Sequence, residues 1–534
     1  MYVLTYKNNP TGVLRYANRA FATLERVSSH KTAMCLLVMA LTMGTRIALL
    51  PRIPIPQPYV TDEFSYLLGA ETFASGRLTN PPHLMWEHFE TFQELMQPTY
   101  MSKYPPGQAL FLAMGWKLFG HPWYGVLVSY GLFSACLCWM LQQWVPPVYA
   151  VLGSAITFAK VSILGYWMNS YWGGAVAAIG GCLLLGALPR LAQRKVKSRD
   201  VVPAAIGIVL LSNTRPYEGL VMIAAAILAL LFWRKRRKQS LAELVSVRCL
   251  LPLLLVCGTG ALLDGYYDYR VTGNAFLMPY KVYMQQYQVA SPWIVLPASP
   301  APAYRHLAIE NTWHEQNVEF QKIRSNPLLN MKALLVILGF YCSWLYVFPV
   351  ALGTLLSRSD RFLIAAAICI CVWCGLFIES PQAPHYVAGS VGLLPVLAVY
   401  GLRWLRVIGE SFGPVLVLTL AALLCLQGRA SDRGQSWEVK RHVVSPRMTA
   451  TEEAMKQGGR HLILVRYSPD HVDKSDECIY NSADIDASQI VWARDMGEAK
   501  NRELIDYYQG NRKVWLYQPE MDPITLVPYE SLSR

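Results

Sequence analysis

Residues 33–50 read AMCLLVMALTMGTRIALL, and shortly afterwards the chain continues Val60-Thr61-Asp62-Glu63-Phe64-Ser65-Tyr66. The first stretch approaches the roughly 20 apolar helical residues that a bilayer core requires. The second puts two adjacent carboxylates just outside it. Acids at that depth are costly to desolvate, so a polar cavity, a metal or an acceptor proton is the usual reason for them. Thr61-Asp62-Glu63 also has the composition of a helix start, with a capping residue followed by acids in the first turn. The two roles are compatible.

Apolar blocks of this kind recur along all 534 residues. They lie at 33–50, 122–144, 148–167, 172–189, 201–213, 216–233, 248–266, 331–356, 361–378, 385–403 and 411–427, which predicts an α-helical polytopic membrane protein with about eleven spans. Composition agrees: 53% of residues are hydrophobic and only 16% charged, against ~25% charged in an ordinary soluble chain. Of the 12 cysteines, all but Cys478 fall in apolar blocks, where a thiol behaves as a small hydrophobe. Cys371 and Cys374 have CxxC spacing but sit within a block, so no disulfide framework is expected.

The net charge of +13 is not a nucleic-acid signature, because the basic clusters flank the apolar blocks. They are Arg190 to Arg199, Arg234 to Lys238, Arg358 with Arg361, and Arg403 with Arg406. Together with Lys7, Arg15, Arg19, Arg26 and Lys31 ahead of the first block, they fit one orientation by the positive-inside rule: N-terminus cytoplasmic. Residues 1–32 are then a cytoplasmic tail and 33–427 the transmembrane domain. Its outer loops are 51–121 and 267–330, and 428–534 is an outer soluble domain. Within the first outer loop, 60–75 and 106–119 read as short helices in the interface plane. If 106–119 were a span, everything after it would invert. The tail changes composition at Gly428, with strand-like runs at 461–467 and 513–517 and a helical stretch at 496–508, so a small α/β domain is expected there.

Other polar groups gather at the outer ends of the blocks. Lys103-Tyr104-Pro105-Pro106-Gly107 opens the second short helix, and paired prolines fix the chain's approach while the lysine stands at headgroup height. A lysine there could equally snorkel. Asn213-Thr214-Arg215-Pro216-Tyr217-Glu218 and Glu379-Ser380-Pro381-Gln382-Ala383-Pro384-His385-Tyr386 occupy very short outer loops, as does Asn169 to Gly174; a fourth cluster runs from Asp264 to Arg270. Arg215 or His385 suits a lipid phosphate, although Arg215 could instead pair with Glu218 or a carbonyl. Tyr166, Trp167, Tyr171 and Trp172 fit an ordinary aromatic belt as well.

Several signals are missing. The chain has no GxxxxGK[ST], HExxH or GxSxG motif and no zinc spacing. His83 and His88 beside Glu87 and Glu90 form a possible metal constellation with no evident third ligand. Apart from Lys160 no acid or lysine sits mid-span, so an ion-coupled transport path lacks its usual charges, and no hydropathy repeat relates the two halves. No Asn-x-Ser/Thr occurs with x other than proline, which favours a bacterial inner membrane.

An acidic pair after the first span, two short helices in the first outer loop, a Lys-Tyr-Pro-Pro element opening the second, many spans and an outer C-terminal domain together resemble the GT-C membrane glycosyltransferases. The resemblance is to the branch of bacterial lipid A aminoarabinose transferases and protein O-mannosyltransferases, and it covers residues 30 to about 427. It implies a catalytic base at Asp62 with Glu63 as its neighbour, and a polyprenyl-phosphate sugar as donor. It also implies donor-phosphate binding by Lys103, with Arg215 and His385 matching by placement only. Tyr104, Tyr217, Glu218 and Tyr386 of the same stretches are candidate substrate contacts. Some relatives use a divalent cation (Mg, Mn or Ca), which here would fall on Asp62 and Glu63. The acceptor would be an envelope lipid, glycan or protein at the periplasmic face. Two other readings are a transporter or flippase for a lipid-linked saccharide, and a non-catalytic envelope assembly factor.

Overall fold

The computed structural model describes residues 12–380, 382–432, 446–473, 476–521 and 526–529. Every apolar block contains helix. The successive helices are α1 Gly12–Ser28, α2 Lys31–Ala48, α3 Thr61–Ala74, α4 Pro106–Phe119, α5 Trp123–Trp144, α6 Pro147–Lys160, α7 Ala175–Leu191, α8 Ser198–Ser212, α9 Pro216–Arg236 and α10 Val247–Thr272. Then follow α11 Pro279–Tyr287, α12 Leu307–Ser325, α13 Pro327–Tyr341, α14 Val347–Leu356, α15 Asp360–Phe377, α16 Leu393–Ile408 and α17 Gly413–Asp432.

Among the described residues six helices are long and apolar enough to cross a membrane, or eight if two bent pairs each count as one span. That is fewer than the eleven spans expected, and the reason is local. The 331–356 block breaks between α13 and α14 with an 85° bend, where Pro349 fits the first turn of a new helix but not the interior of an old one. Residues 384–390 form a 3-10 helix that meets α16 at 61°, with Pro395 again in a first turn. The expected 148–167 span stops at Lys160, and α7 begins only at Ala175, leaving Val161 to Gly174 as irregular chain rich in glycine and serine. Lys160 donates to the Gly339 carbonyl at 3.2 Å.

α5 is the central helix. Trp123, Tyr130, Phe133, Leu137, Leu141 and Trp144 are all buried on it, and its two terminal tryptophans donate to the carbonyls of Met168 and Leu185, each at 3.0 Å. α7 and α8 approach closely because both present glycine. A Cβ on Gly207 would stand 2.5 Å from the Gly180 carbonyl oxygen, the small-residue packing that membrane helices favour. α9 and α10 sit at the edge and expose Leu220, Leu228, Leu254, Leu255, Leu262 and Leu263, as lipid-facing helices do. The N-terminal tail contains the amphipathic α1. It buries Leu14 and Phe21 and leaves Arg15, Arg19 and Arg26 exposed.

The two 14-residue helices α3 and α4 lie side by side in the segment between α2 and α5, the expected first outer loop. Between them run the two-residue strands β1 Glu94–Leu95 and β2 Met101–Ser102, paired antiparallel. α17 passes the expected boundary at 427 and ends at Asp432. Beyond it come α18 Pro446–Lys456, β3 His461–Val465, β4 Ile490–Arg494, α19 Glu498–Tyr507, β5 Lys513–Tyr517 and β6 Val527–Pro528. The sheet order is β4-β3-β5-β6, parallel except at β5-β6. Every residue of β3 is buried, as expected of a parallel strand covered on both faces. Leu462 and Leu464 face a cluster that includes Leu68, Phe89, Met96 and Tyr100 of the first outer loop. Ile463 and Val465 face Ala450 and Ala454 of α18.

A polar tie reinforces that docking. Arg494 donates through Nε to the Glu90 carbonyl at 2.6 Å while its Nη2 pairs with the buried Glu477. Removing one partner of a buried ion pair typically costs ~3–5 kcal/mol. Arg494→Ala is therefore expected to lower thermal stability by that order and to open the 86–102 segment to protease, whereas Arg502→Ala, on the exposed face of α19, changes neither. Protease resistance unchanged in Arg494→Ala would show that the apolar face alone holds the two parts together.

Candidate functional site

Asp62 and Glu63, adjacent in sequence, are used in opposite ways. Glu63 is 3% exposed. Its Oε2 accepts from the backbone amides of Tyr59 at 2.8 Å and Val60 at 3.1 Å, and its Oε1 from the amide of Tyr171 at 2.9 Å. It caps α3 and clamps that helix to the irregular chain before α7. Asp62 turns the other way, accepting from the Tyr104 hydroxyl on Oδ1. Burial pushes its carboxyl above the usual range, and the Lys103 and Arg215 cations pull it part of the way back.

Lys103 is 5% exposed and forms no ion pair with a carboxylate among the described residues. Its ammonium lies 5.1, 4.8 and 4.5 Å from the ring centroids of Tyr104, Tyr280 and Tyr283. Three ring faces offer quadrupole attraction without neutralising the charge. Burial draws this ammonium down to about 8, against the pull of Asp62. Arg215 stands at the start of α9 with its guanidinium 4.7 Å from the Tyr386 ring centroid. It lines a small cavity with Glu218, Met222, Tyr386 and Ser390. Glu379 lies close enough to act on Arg215, and burial and the neighbouring Glu218 push its carboxyl up while Arg215 pulls it down.

Backbone contacts set these distances. The Gly107 amide donates to the Asn213 carbonyl at 2.8 Å, joining the start of α4 to the loop that carries Arg215. A Cβ on Gly107 would stand 2.8 Å from the Thr214 methyl, so only glycine permits that approach. Asn213 also donates to Asp264 at 3.0 Å. On the other side, the buried Arg46 donates to Asn169 at 3.1 Å and to the Ile53 carbonyl at 2.9 Å. It fixes the outer end of α2 to the same irregular chain that Glu63 holds.

Of the residues expected from sequence, Asp62, Lys103, Tyr104, Arg215, Glu218 and Tyr386 are brought together. Besides Glu63, which holds three backbone amides, two are placed differently. Tyr217 donates to the Gly375 carbonyl at 3.0 Å and packs edge-on to Trp293, tying α9 to α15. His385 is 2% exposed, enclosed by Trp172, Tyr386 and Tyr166, with Nδ1 3.2 Å from the Tyr166 hydroxyl. Its Nδ1 is thus engaged by Tyr166 within an aromatic enclosure. Tyr66, stacked on Tyr104 at 4.5 Å, and the cage residues Tyr280 and Tyr283 were not expected. Their signal is present in Pro279-Tyr280-Lys281-Val282-Tyr283-Met284-Gln285-Gln286-Tyr287, a proline-started helix with tyrosines on one face.

A cation between Asp62 and Glu63 does not fit these residues, because both Glu63 oxygens already serve three backbone amides. His83 and His88 do not form a metal set either. His83 pairs with Asp486 at 3.1 Å and His88 with the Arg494 carbonyl at 3.1 Å, and no three ligating side chains converge among the described residues.

A carboxylate beside two cations stands at one end of a bundle of membrane-length helices, next to the paired short helices α3 and α4, and this fold is shared with solved structures. The crystal structure of ArnT from Cupriavidus metallidurans bound to undecaprenyl phosphate matches with a TM-score of 0.50 at 12% identity, over 90% of this chain and 92% of that one. The apo form of the same protein matches with a TM-score of 0.50 at 13% identity, over 94% and 93%. The oligosaccharyltransferase AglB from Archaeoglobus fulgidus, in complex with an inhibitory peptide and a dolichol-phosphate, matches with a TM-score of 0.39 at 12% identity, over 91% of this chain and 69% of that one. No protein-family model and no curated protein sequence matches.

The division of roles between the two acids is open to direct test. Glu63→Ala leaves three amides without an acceptor, at ~1–3 kcal/mol for each one left buried. It is expected to lower the melting temperature in detergent markedly, whereas Asp62→Ala leaves it nearly unchanged. Equal losses for the two variants would overturn the distinction.

Proposed function

We propose that this chain is a bacterial inner-membrane glycosyltransferase. It moves a sugar from a polyprenyl-phosphate donor to a hydroxyl of an envelope lipid, glycan or protein at the periplasmic face, with its N-terminus cytoplasmic and residues 428–534 outside. The observation that carries this reading is the grouping of one carboxylate, Asp62, with two cations, Lys103 and Arg215, that no carboxylate among the described residues neutralises by direct contact. The fold shared with ArnT supports it.

The chemistry follows from that arrangement. Substitution at the anomeric carbon needs a deprotonated or polarised nucleophile on one face and a stabilised leaving group on the other. Asp62 takes the proton of the acceptor hydroxyl as the new C–O bond forms. The anomeric carbon–oxygen bond to phosphate breaks with its electron pair left on the phosphate, giving a polyprenyl phosphate whose added charge meets Lys103 and Arg215. Attack opposite the leaving group inverts the anomeric configuration. Tyr104 holds Asp62 through Oδ1 and leaves Oδ2 for the acceptor, while burial raises the basicity of the carboxylate. Tyr280 and Tyr283 keep Lys103 in place without competing for its charge.

Vesicles carrying the wild type and a panel of radiolabelled polyprenyl-phosphate sugars are expected to transfer label to an envelope fraction. Asp62→Asn should lower the rate ~10²–10⁴-fold, the usual contribution of a general base. Undiminished transfer by Asp62→Asn would remove the base, and no transfer from any donor would remove the enzyme reading. The pH profile is expected to be a bell. Its acid limb rises as Asp62 loses its proton, and its alkaline limb falls as Lys103 loses its proton near 8 and KM for the donor increases. Lys103→Arg keeps its charge and should shift the alkaline limb upward; an unmoved limb would show that Lys103 does not set it.

A further inference from the structure

A second cavity lies outside the site just described, between the first outer loop and the segment that follows α11. Its volume is about 270 Å³, and its walls include Trp86, Glu90, Gln97, Gln286, Tyr287 and Arg305. Pockets for drug-sized ligands run from ~300 Å³ upward, so this one suits a group the size of a single monosaccharide.

Its chemistry narrows the class. Glu90, 2% exposed, accepts from the Tyr287 hydroxyl at 2.9 Å and from Arg305 at 3.3 Å. Arg305 also lies 3.7 Å from Glu87 and 4.5 Å from the Trp86 ring centroid. Glu90 also pairs with His306 at 3.3 Å and Glu87 with Lys500 at 3.9 Å, so the acids and cations around the pocket are engaged with one another. Gln286 donates to the Gln97 carbonyl at 3.1 Å, while its own Oε1 is buried and accepts no hydrogen bond among the described residues. A buried carbonyl oxygen without a donor is uncommon unless a bound group supplies one. Aromatic rings, two carboxamides and a buried carboxylate already held by Arg305 and His306 fit a neutral polyhydroxyl ring.

Position relates the pocket to the transfer site. Tyr287 lines the pocket, and Tyr283, one helical turn earlier on α11, belongs to the cage around Lys103; their ring centroids are 5.0 Å apart. A turn of helix rises ~5.4 Å, about the width of one sugar ring. We propose that this pocket binds a neutral hexose-sized sugar of a glycan acceptor, next to the site where the donor phosphate departs. The assignment of the sugar to the acceptor rests on the glycosyltransferase reading; the pocket itself does not.

The test uses the full chain in nanodiscs and a panel of neutral methyl hexosides and methyl N-acetylhexosaminides, read by saturation-transfer NMR and tryptophan fluorescence. At least one glycoside is expected to bind saturably. Trp86→Ala and Gln286→Ala should each weaken it about tenfold, the equivalent of one good contact. Ala303→Trp, which fills the pocket from its exposed rim and disturbs no buried group, should abolish binding in a protein that still melts like wild type. Undecaprenyl phosphate should not compete. No glycoside binding, binding untouched by the three substitutions, or competition by undecaprenyl phosphate would each overturn the proposal. Retained glycoside binding in a protein that transfers no sugar would defeat the enzyme reading alone, so the two failures are distinguishable.

Discussion

Three backbone amides from two separated stretches, those of Tyr59, Val60 and Tyr171, converge on the buried Glu63 carboxylate. A carboxylate leaves water at high cost unless its lone pairs are taken by strong donors, and here the donors are main-chain groups with no other acceptor to hand. The constraint runs both ways: α3 cannot start elsewhere, and the irregular chain between α6 and α7 cannot move away. With α3 held there, Asp62 is presented on its opposite side toward Tyr104, and α4 lies against α3 with its N-terminus on the Asn213 carbonyl. The positions of Lys103 and Arg215 relative to Asp62 follow from these contacts.

The site then owes its reactivity to what surrounds each charge. Lys103 is enclosed by rings that attract it without cancelling it, and Arg215 lies over Tyr386. In the proposed reaction these two cations meet the departing phosphate. Asp62, raised by burial, is a stronger base than a solvated carboxylate. None of this requires a bound metal at Asp62, and the donor set at that point does not form one.

The C-terminal unit is part of the same construction. Its sheet covers one side of the first outer loop through Leu462 and Leu464, and Arg494 reaches the Glu90 carbonyl. Glu90 in turn faces the second cavity, so the loop that carries Lys103 at one end borders the proposed sugar pocket along its length. α11 links the two, with Tyr283 on one and Tyr287 on the other.

Local signals in the sequence determined much of this. Block length and flanking charge identify membrane helices, the acid pair and the Lys-Tyr-Pro-Pro element mark the first outer loop, and α3, α4, β3 and β5 fall close to where pattern and proline place them. These features depend on neighbours in sequence, through transfer free energy and backbone restriction. The number of full-length spans does not, because Pro349, Pro395 and the glycine-rich chain after Lys160 turn apolar blocks into bent or shortened helices. The separate duties of Asp62 and Glu63, the enclosure of His385, the tyrosine cage and the second cavity were likewise decided only by tertiary structure. Each depends on which residues from distant segments arrive beside a charge, and a buried charge is governed by those partners rather than by its neighbours in the chain.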